Sequence, residues 1–334
     1  MLQFTQFVIV RAIMAMITLI IVSFIVFSLM ELVPGDCAER YLAFKNTQGS
    51  QISVADIEVE RQRLGLDKPF ITRWVHWITH AFEGEFGESC ILRLNISRLL
   101  GQKFWISLGI CLTSLALAYA IALPVGIISA TSNNKVLNNS LRLVSYLGLA
   151  LPNFLLALMV MLFSTVVYGN SLTGLFSPEF RDAAWSWPRV VDFLSHAWLP
   201  IFILGWSATA FAIQTVRALM SDEIGKLYVT AARARGVTGR RLLWRYPARH
   251  ALGPIINSLG FDLNRIFNEL PVVALILTLT EAGSLLIEAL ARSNDQQLAG
   301  AIIFLLTASI VVLNFFTDVL LALTDPRVRH SIMG

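Results

Sequence analysis

Charge is scarce in this chain. Asp, Glu, Lys and Arg make up 14% of its 334 residues, where soluble domains carry about 25%. The shortage is local as well as global: between Ala12 and Met30 no charged residue occurs. A run of about 20 apolar residues is what crosses a hydrocarbon core, so a fully water-soluble chain is excluded. Cysteine is also sparse, and Cys37, Cys90 and Cys111 lack the spacing of a zinc or redox motif. The five histidines, His76, His80, His196, His250 and His330, give no i, i+4 pair within a membrane helix. His76 and His80 share a face of a short outer helix, but two ligands fall short of the three or four a metal needs. No metal site is assigned. The Gly-x-x-x-x-Gly-Lys-[Ser/Thr] phosphate loop is missing too; the nearest spacing, Gly169 to Gly174, runs on into Leu175 and Phe176. ATP hydrolysis by that route is excluded, and with no nucleophile–base pair inside an apolar run, no catalytic residue is assigned. No internal repeat or low-complexity stretch is visible.

What is present is apolar length. Hydrophobic residues reach 56% and mean hydropathy +0.66. Beyond the first run, apolar segments cover Trp105–Ala130, Leu143–Tyr168, Ala197–Met220, Ile255–Thr280 and Leu298–Leu323. Backbone groups in lipid must be bonded internally, so such segments are helices or strands of a closed barrel. Barrel strands alternate over about ten residues, and these runs do not. The chain is therefore expected to be an all-α membrane protein with six transmembrane helices. The first run is too long for a secretory h-region of about 7–15 residues and passes into the turn cluster Glu31-Leu32-Val33-Pro34-Gly35-Asp36, so it is expected to stay as a helix.

Net charge is +4 and the pI about 9.1. The basic residues fall mainly in one connector, which argues for topology rather than for nucleic acid. After the fourth helix come Arg217, Lys226, Arg233, Arg235, Arg240, Arg241, Arg245 and Arg249 against Asp222 and Glu223; the tail adds Arg327 and Arg329, and the second-to-third connector Lys135 and Arg142. Basic short loops stay in the cytoplasm, which puts these segments and both termini there. The whole chain reads as one membrane domain: a first span over 7–32, an outer segment over 33–103, a five-helix core over 104–325 containing the connector 220–254, and a tail over 326–334. In the outer segment Ser53 and Asp56 predict a capped helix start, Gly65 ends that helix, and Pro69 suits the start of another. The second helix carries Phe70, Trp74, Trp77, Ile78 and Phe82 as an apolar stripe, suited either to the membrane interface or to packing on neighbouring spans. Cys37 and Cys90 both lie outside, where a disulfide is permitted.

The connector between the fourth and fifth helices is unusual. It runs about thirty-five residues where bundle connectors take about 2–8, and its composition is not that of a disordered segment. Good helix formers and small residues fill Thr230 to Arg235, Gly236 is placed to end that helix, and Thr238 can cap a second one. Ala231 and Ala232 offer a nearly bare backbone, flanked by arginines whose forked donors suit carboxylates. Such an element either docks into a groove of a soluble partner or serves as a basic loop fixing topology.

The string Tyr228-Val229-Thr230-Ala231-Ala232-Arg233-Ala234-Arg235-Gly236-Val237 resembles the cytoplasmic "EAA" loop of binding-protein-dependent ABC permeases, in the version of the dipeptide/oligopeptide family. The resemblance extends along nearly the whole chain. It includes Leu32-Val33-Pro34-Gly35-Asp36, Leu64-Gly65-Leu66-Asp67-Lys68-Pro69, Gly84-Glu85-Phe86-Gly87-Glu88-Ser89, Leu151-Pro152-Asn153-Phe154 and Asp325-Pro326-Arg327-Val328-Arg329. It implies the type I ABC importer permease fold in a bacterial inner membrane. It also implies a second homologous permease, usually a different chain, two ATP-binding cassette ATPase subunits and a periplasmic substrate-binding protein. No cofactor is expected on this chain, ATP and Mg belonging to the ATPases. By the same resemblance Glu223, Tyr228, Ala231, Ala232, Arg233, Arg235 and Gly236 form the ATPase-coupling loop, and the solute is a peptide or peptide-like compound. Thr230 departs from the Glu of the motif's name, and Cys37 replaces a common proline.

The fifth helix departs most, since it holds charge. Asp262, Arg265 and Glu269, spaced i, i+3, i+7, share one helical face, flanked by Asn264 and Asn268. A charge at mid-membrane costs on the order of 2.5–3.5 kcal/mol on insertion scales, so such residues face protein or water. They either line a path for a polar, zwitterionic solute, pair with the partner permease, or mark a helix that begins later. Pro152 and Asn153 are candidates for the same path, or simply a proline kink. An ion-gradient-driven transporter using Asp262 and Glu269 is the alternative reading; it leaves the long connector without a purpose.

Overall fold

The computed structural model describes residues 2–49, 53–169, 172–181 and 183–324. The tail, with Arg327, Arg329 and His330, lies outside the described residues. The chain is helical throughout, and among the described residues the only β pairing is an isolated bridge between Glu88 and Asn95. In order come α1 (Leu2–Leu32), α2 (Cys37–Thr47), α3 (Val54–Arg63), α4 (Phe70–Phe82), α5 (Ile96–Thr131), α6 (Lys135–Ala150) and α7 (Asn153–Tyr168). They are followed by α8 (Trp187–Ile224), α9 (Leu227–Ala234), α10 (Gly239–Arg245), α11 (Pro247–Ile276), α12 (Ala282–Ile287), a π-helical turn (Glu288–Arg292) and α13 (Gln296–Thr324).

Four helices, α1 from Phe4, α5, α8 and α13, are long and apolar enough to cross a membrane, and α6 with α7 qualifies as a bent pair. At 30 residues, α11 is about 45 Å long; its length suffices, but three central charges set it apart from those four. The expected continuous helix over Leu143–Tyr168 is corrected: the chain bends by 93° between α6 and α7. The cause is local. Leu151 is extended (φ −94°, ψ 112°), as a residue before proline prefers to be, and Pro152 has no N–H to continue the ladder.

By its contacts the chain divides into two compact units. One comprises the chain up to Ile13, Leu108–Leu279 and from Val312 on; the other comprises Met14–Ser107 and Thr280–Val311. In the first, α8 packs on α11, α6 and α7. Gly205 brings α8 close to α5, a Cβ there meeting the Ser114 carbonyl at 3.2 Å.

In the second unit α4 packs on spanning helices, as one of the two sequence alternatives had it. Trp74 donates to Ser23 Oγ at 3.2 Å, Phe24 meets Phe70 and Trp74 edge-on, and Trp77 lies between Phe27 and Phe304. Ser53 and Asp56 form the expected capping box. Gly65 ends α3 at φ +65°, with its N–H on Gln62 and that of Leu66 on Arg61. Pro69 stands one place earlier than expected, just before the first residue of α4. Cys37 and Cys90 form a disulfide. Beside it Asp295, 1% exposed, accepts from Ser89 Oγ and from the backbone N–H groups of Cys90, Ile91 and Leu298.

Candidate functional site

The connector is built as a small folded body of its own. Val229, Ala232 and Leu242 are buried together, with Tyr228, Val237 and Tyr246 packed against them. This apolar knot holds α9 against α10 and explains why the segment is ordered at such length. Gly236 ends α9 with φ +84°, where an L side chain is strained. Its N–H bonds Arg233 and that of Val237 bonds Ala232, at 2.9 and 3.2 Å, the paired bonds of a Schellman ending. Thr238 sits at the start of α10 but makes no side-chain cap.

Ala232 is 0% exposed. The bare surface expected of the alanine pair therefore belongs to Ala231 alone; Ala232 faces the connector's own core, because it shares an i, i+3 stripe with Val229. Glu223 also turns inward. It accepts from Lys226 and from the Tyr228 hydroxyl, while Lys226 reaches Asp222 at 3.2 Å and the Tyr228 ring lies 4.9 Å from that of His250. Burial and the Glu223 carboxylate push the Tyr228 phenol well above its usual range. Glu223 and Asp222 raise Lys226. Glu223 and Tyr228 thus brace the body, tying α9 to the end of α8 and the beginning of α11.

The outward face carries Ala231, Arg233, Arg235 and Gly236, all exposed, and no ion pair engages either arginine among the described residues. Two residues missed at the sequence level join them: Leu227 is 87% exposed and Trp244 64%. Leu227 falls off the Val229–Ala232 stripe, which is the signal that could have found it. A rigid body with apolar anchors among open arginines is shaped for a protein groove containing carboxylates.

The second candidate lies between α7, α8 and α11. Asn153 is 1% exposed; its amide donates to the Leu204 carbonyl at 3.1 Å and accepts from Ser207 N–H at 3.2 Å. Glu269 lies against Arg265 and Asn153, and the Arg265 guanidinium lies 5.2 Å from the centre of the Phe211 ring. Ser207, Phe211 and Gln214 share one face of α8 at i, i+4, i+7, so that face meets the charged face of α11. Along this seam Ser207 Oγ, Gln214 Nε2, Arg217 Nε, Arg265 Nη1 and Glu269 Oε2 are buried without a hydrogen-bond partner among the described residues. Asp262 stands at its edge, within reach of the Arg265 charge. It is 2% exposed and accepts from the Tyr119 hydroxyl at 2.7 Å, which also meets Ser258 Oγ at 2.7 Å. Pro152 serves as the break before α7. The structure brings Asn153, Arg265 and Glu269 together, with Asp262 beside Arg265 and bonded to Tyr119 across the α5–α11 packing.

Two family models match the chain. One, described as a binding-protein-dependent transport system inner membrane component, covers residues 122–330; the other, the N-terminal part of such a membrane component, covers residues 2–122. Among curated relatives, the oligopeptide transport system permease protein AppB of Bacillus subtilis is 28% identical, over 96% of this chain and 98% of its own length. The glutathione transport system permease protein GsiC of Escherichia coli is 28% identical, over 94% and 95%. Among solved structures, an inward-facing form of the MetNI methionine ABC transporter superposes with a TM-score of 0.55 at 18% identity, covering 68% of this chain and 96% of that one. That likeness establishes the type I importer permease fold.

Proposed function

The chain belongs to the family of binding-protein-dependent transport system inner membrane components, and we propose that it forms half of the translocation path of an ATP-driven importer for short peptides or peptide-like solutes. The relatives AppB and GsiC, named for oligopeptide and glutathione transport and matched over nearly their full length, support that solute class. The partners are a second homologous permease, two ABC ATPase subunits that carry ATP and Mg, and an external substrate-binding protein. Both termini lie in the cytoplasm, on the side of the basic connector. The observation that carries the reading is the braced connector with its outward face of Leu227, Ala231, Arg233, Arg235 and Trp244. This face docks in a groove of one ATPase, and the brace passes the movement of that ATPase to α8 and α11. Along the seam, Asn153, Arg265 and Glu269 face the solute when the partner permease completes the path.

Co-expression with candidate ATPase chains tests this. The intact chain is expected to co-purify with them and to show peptide-stimulated ATP hydrolysis. Leu227→Asp is expected to abolish both while leaving the melting temperature unchanged. Purification of the intact chain without any ATPase, together with peptide uptake into liposomes on an ion gradient alone, would overturn the reading.

A further inference from the structure

The outer part of the second unit contains a cavity of about 450 Å³ that neither candidate site uses. It opens outward and is lined from α1, the start of α2, the end of α3 and the turn into α4, α4 itself, the turn over 85–88, and the start of α13. Its volume falls in the range of about 300–1,000 Å³ typical of small-molecule sites. Phe27, Leu66 and Trp77 give it an apolar floor.

Most charges around it are already committed. Arg73 grips Glu31 with both terminal nitrogens, at 2.6 and 2.8 Å. Arg63 is held by Glu60 at 2.9 Å and by Glu88 at 3.4 Å. Two lining groups are not committed: the Lys68 ammonium and the Glu85 carboxylate. Neither has an ion pair or a side-chain hydrogen bond among the described residues. The Lys68 stem lies over Gly65, where a Cβ would sit 3.8 Å from Cδ and Cε, so the ammonium is carried at the cavity's edge. One open cation, one open anion and an aromatic floor complement a molecule with a carboxylate, an ammonium and an apolar side chain. A simple anion such as phosphate would meet the acidic groups Glu31, Glu85 and Glu88 in the same lining, which disfavours it.

We propose that this cavity binds a zwitterionic short peptide with free ends, Lys68 Nζ donating to its carboxylate and Glu85 accepting from its ammonium, with an apolar side chain against Trp77. The site rests on the cavity's own residues and holds whether or not the chain acts as an importer subunit.

The full chain, purified in mild detergent, is titrated calorimetrically with alanyl-phenylalanyl-alanine, its N-acetylated form and its C-amidated form. The free tripeptide should bind, and each blocked form should bind about ten- to a hundredfold more weakly, as expected for losing one charge-assisted contact. Lys68→Met should erase the preference over the amide, and Glu85→Gln the preference over the acetylated form; both side chains are exposed, so folding is retained. Lys135→Met, which removes an exposed cation at the start of α6, should leave this binding unchanged. Equal affinity for free and blocked peptides, absence of binding, or both preferences retained in Lys68→Met and Glu85→Gln would each overturn the assignment.

Discussion

The segment over 33–103 and the connector between α8 and α11 are both small helical structures rich in arginine, yet they use it in opposite ways. In the outer segment Arg61 bonds Asp36 and Glu39, Arg63 and Arg93 share Glu60, and Arg73 closes on Glu31. Arg93 also stacks over Tyr41 with its guanidinium 3.7 Å from the ring centre. In the connector Arg233, Arg235, Arg240, Arg241, Arg245 and Arg249 have no ion pair among the described residues, and only Lys226 is paired. The outer segment pairs its arginines internally and is held further by a disulfide; the connector holds itself by an apolar knot and leaves its arginines without ion pairs among the described residues.

This contrast can be broken from either side. The largest effect is expected from Cys90→Ser. Opening a disulfide across a separation of 53 residues removes about 4 kcal/mol in the chain-entropy model, measurable as a lower melting temperature that reductant reproduces in the parent. Asp295→Ala should follow, at roughly 3 kcal/mol, because it leaves the Ser89 hydroxyl and three backbone N–H groups unpaired in a buried site. On the connector, Gly236→Ala forces a Cβ into a left-handed backbone and should cost about 1 kcal/mol, read from the same melt. Trp244→Ala should change stability by no more than about 0.5 kcal/mol, yet reduce ATPase co-purification; a large loss of stability would mean that the outward face is structural.

Acid sharpens the comparison last. The Ser53 backbone N–H and hydroxyl hold Asp56 below the usual carboxylate range. Burial pushes Glu60 up, but Arg63 and Arg93 outweigh it and hold it low. With folded values below unfolded ones, these groups contribute stability above about pH 4 that is lost as the pH falls through the folded values. The melting temperature of the chain should therefore drop on acidification below about pH 4, and Glu60→Gln should blunt the drop. Connector arginines stay charged throughout, so Arg233→Gln should leave the pH profile unchanged.

The helical class and most spans were legible because a lipid core demands long apolar runs, which a sequence displays directly. At Pro152 a kink was legible from the proline itself, but a bend of 93° was not, because hydropathy averages through the break. The connector's two helices and Gly236 were legible from residue type. The direction of Ala232 was not, since an alanine suits both a bare surface and a tight core, and only the burial of Val229 and Leu242 decides. The α11 charges were visible as one face, but Tyr119, which satisfies Asp262, lies 143 residues away. No spacing rule reaches that far. Cys37 and Cys90 could be placed in one segment between the first two long helices, whereas their approach to a Cα separation of 5.2 Å depends on how the helices of that segment pack.

The brace around Tyr228 has a mechanical meaning. Asp222 and Glu223 root the connector in the last turn of α8, and His250 and Tyr246 root it at the beginning of α11. Between these roots lies the apolar knot of Val229, Ala232 and Leu242. A hinge there would let the two long helices swing independently and would dissipate a push at α9 as local bending. A strut clamped at both ends would convert the same push into a common tilt of α8 and α11, and would carry with it the seam those helices share.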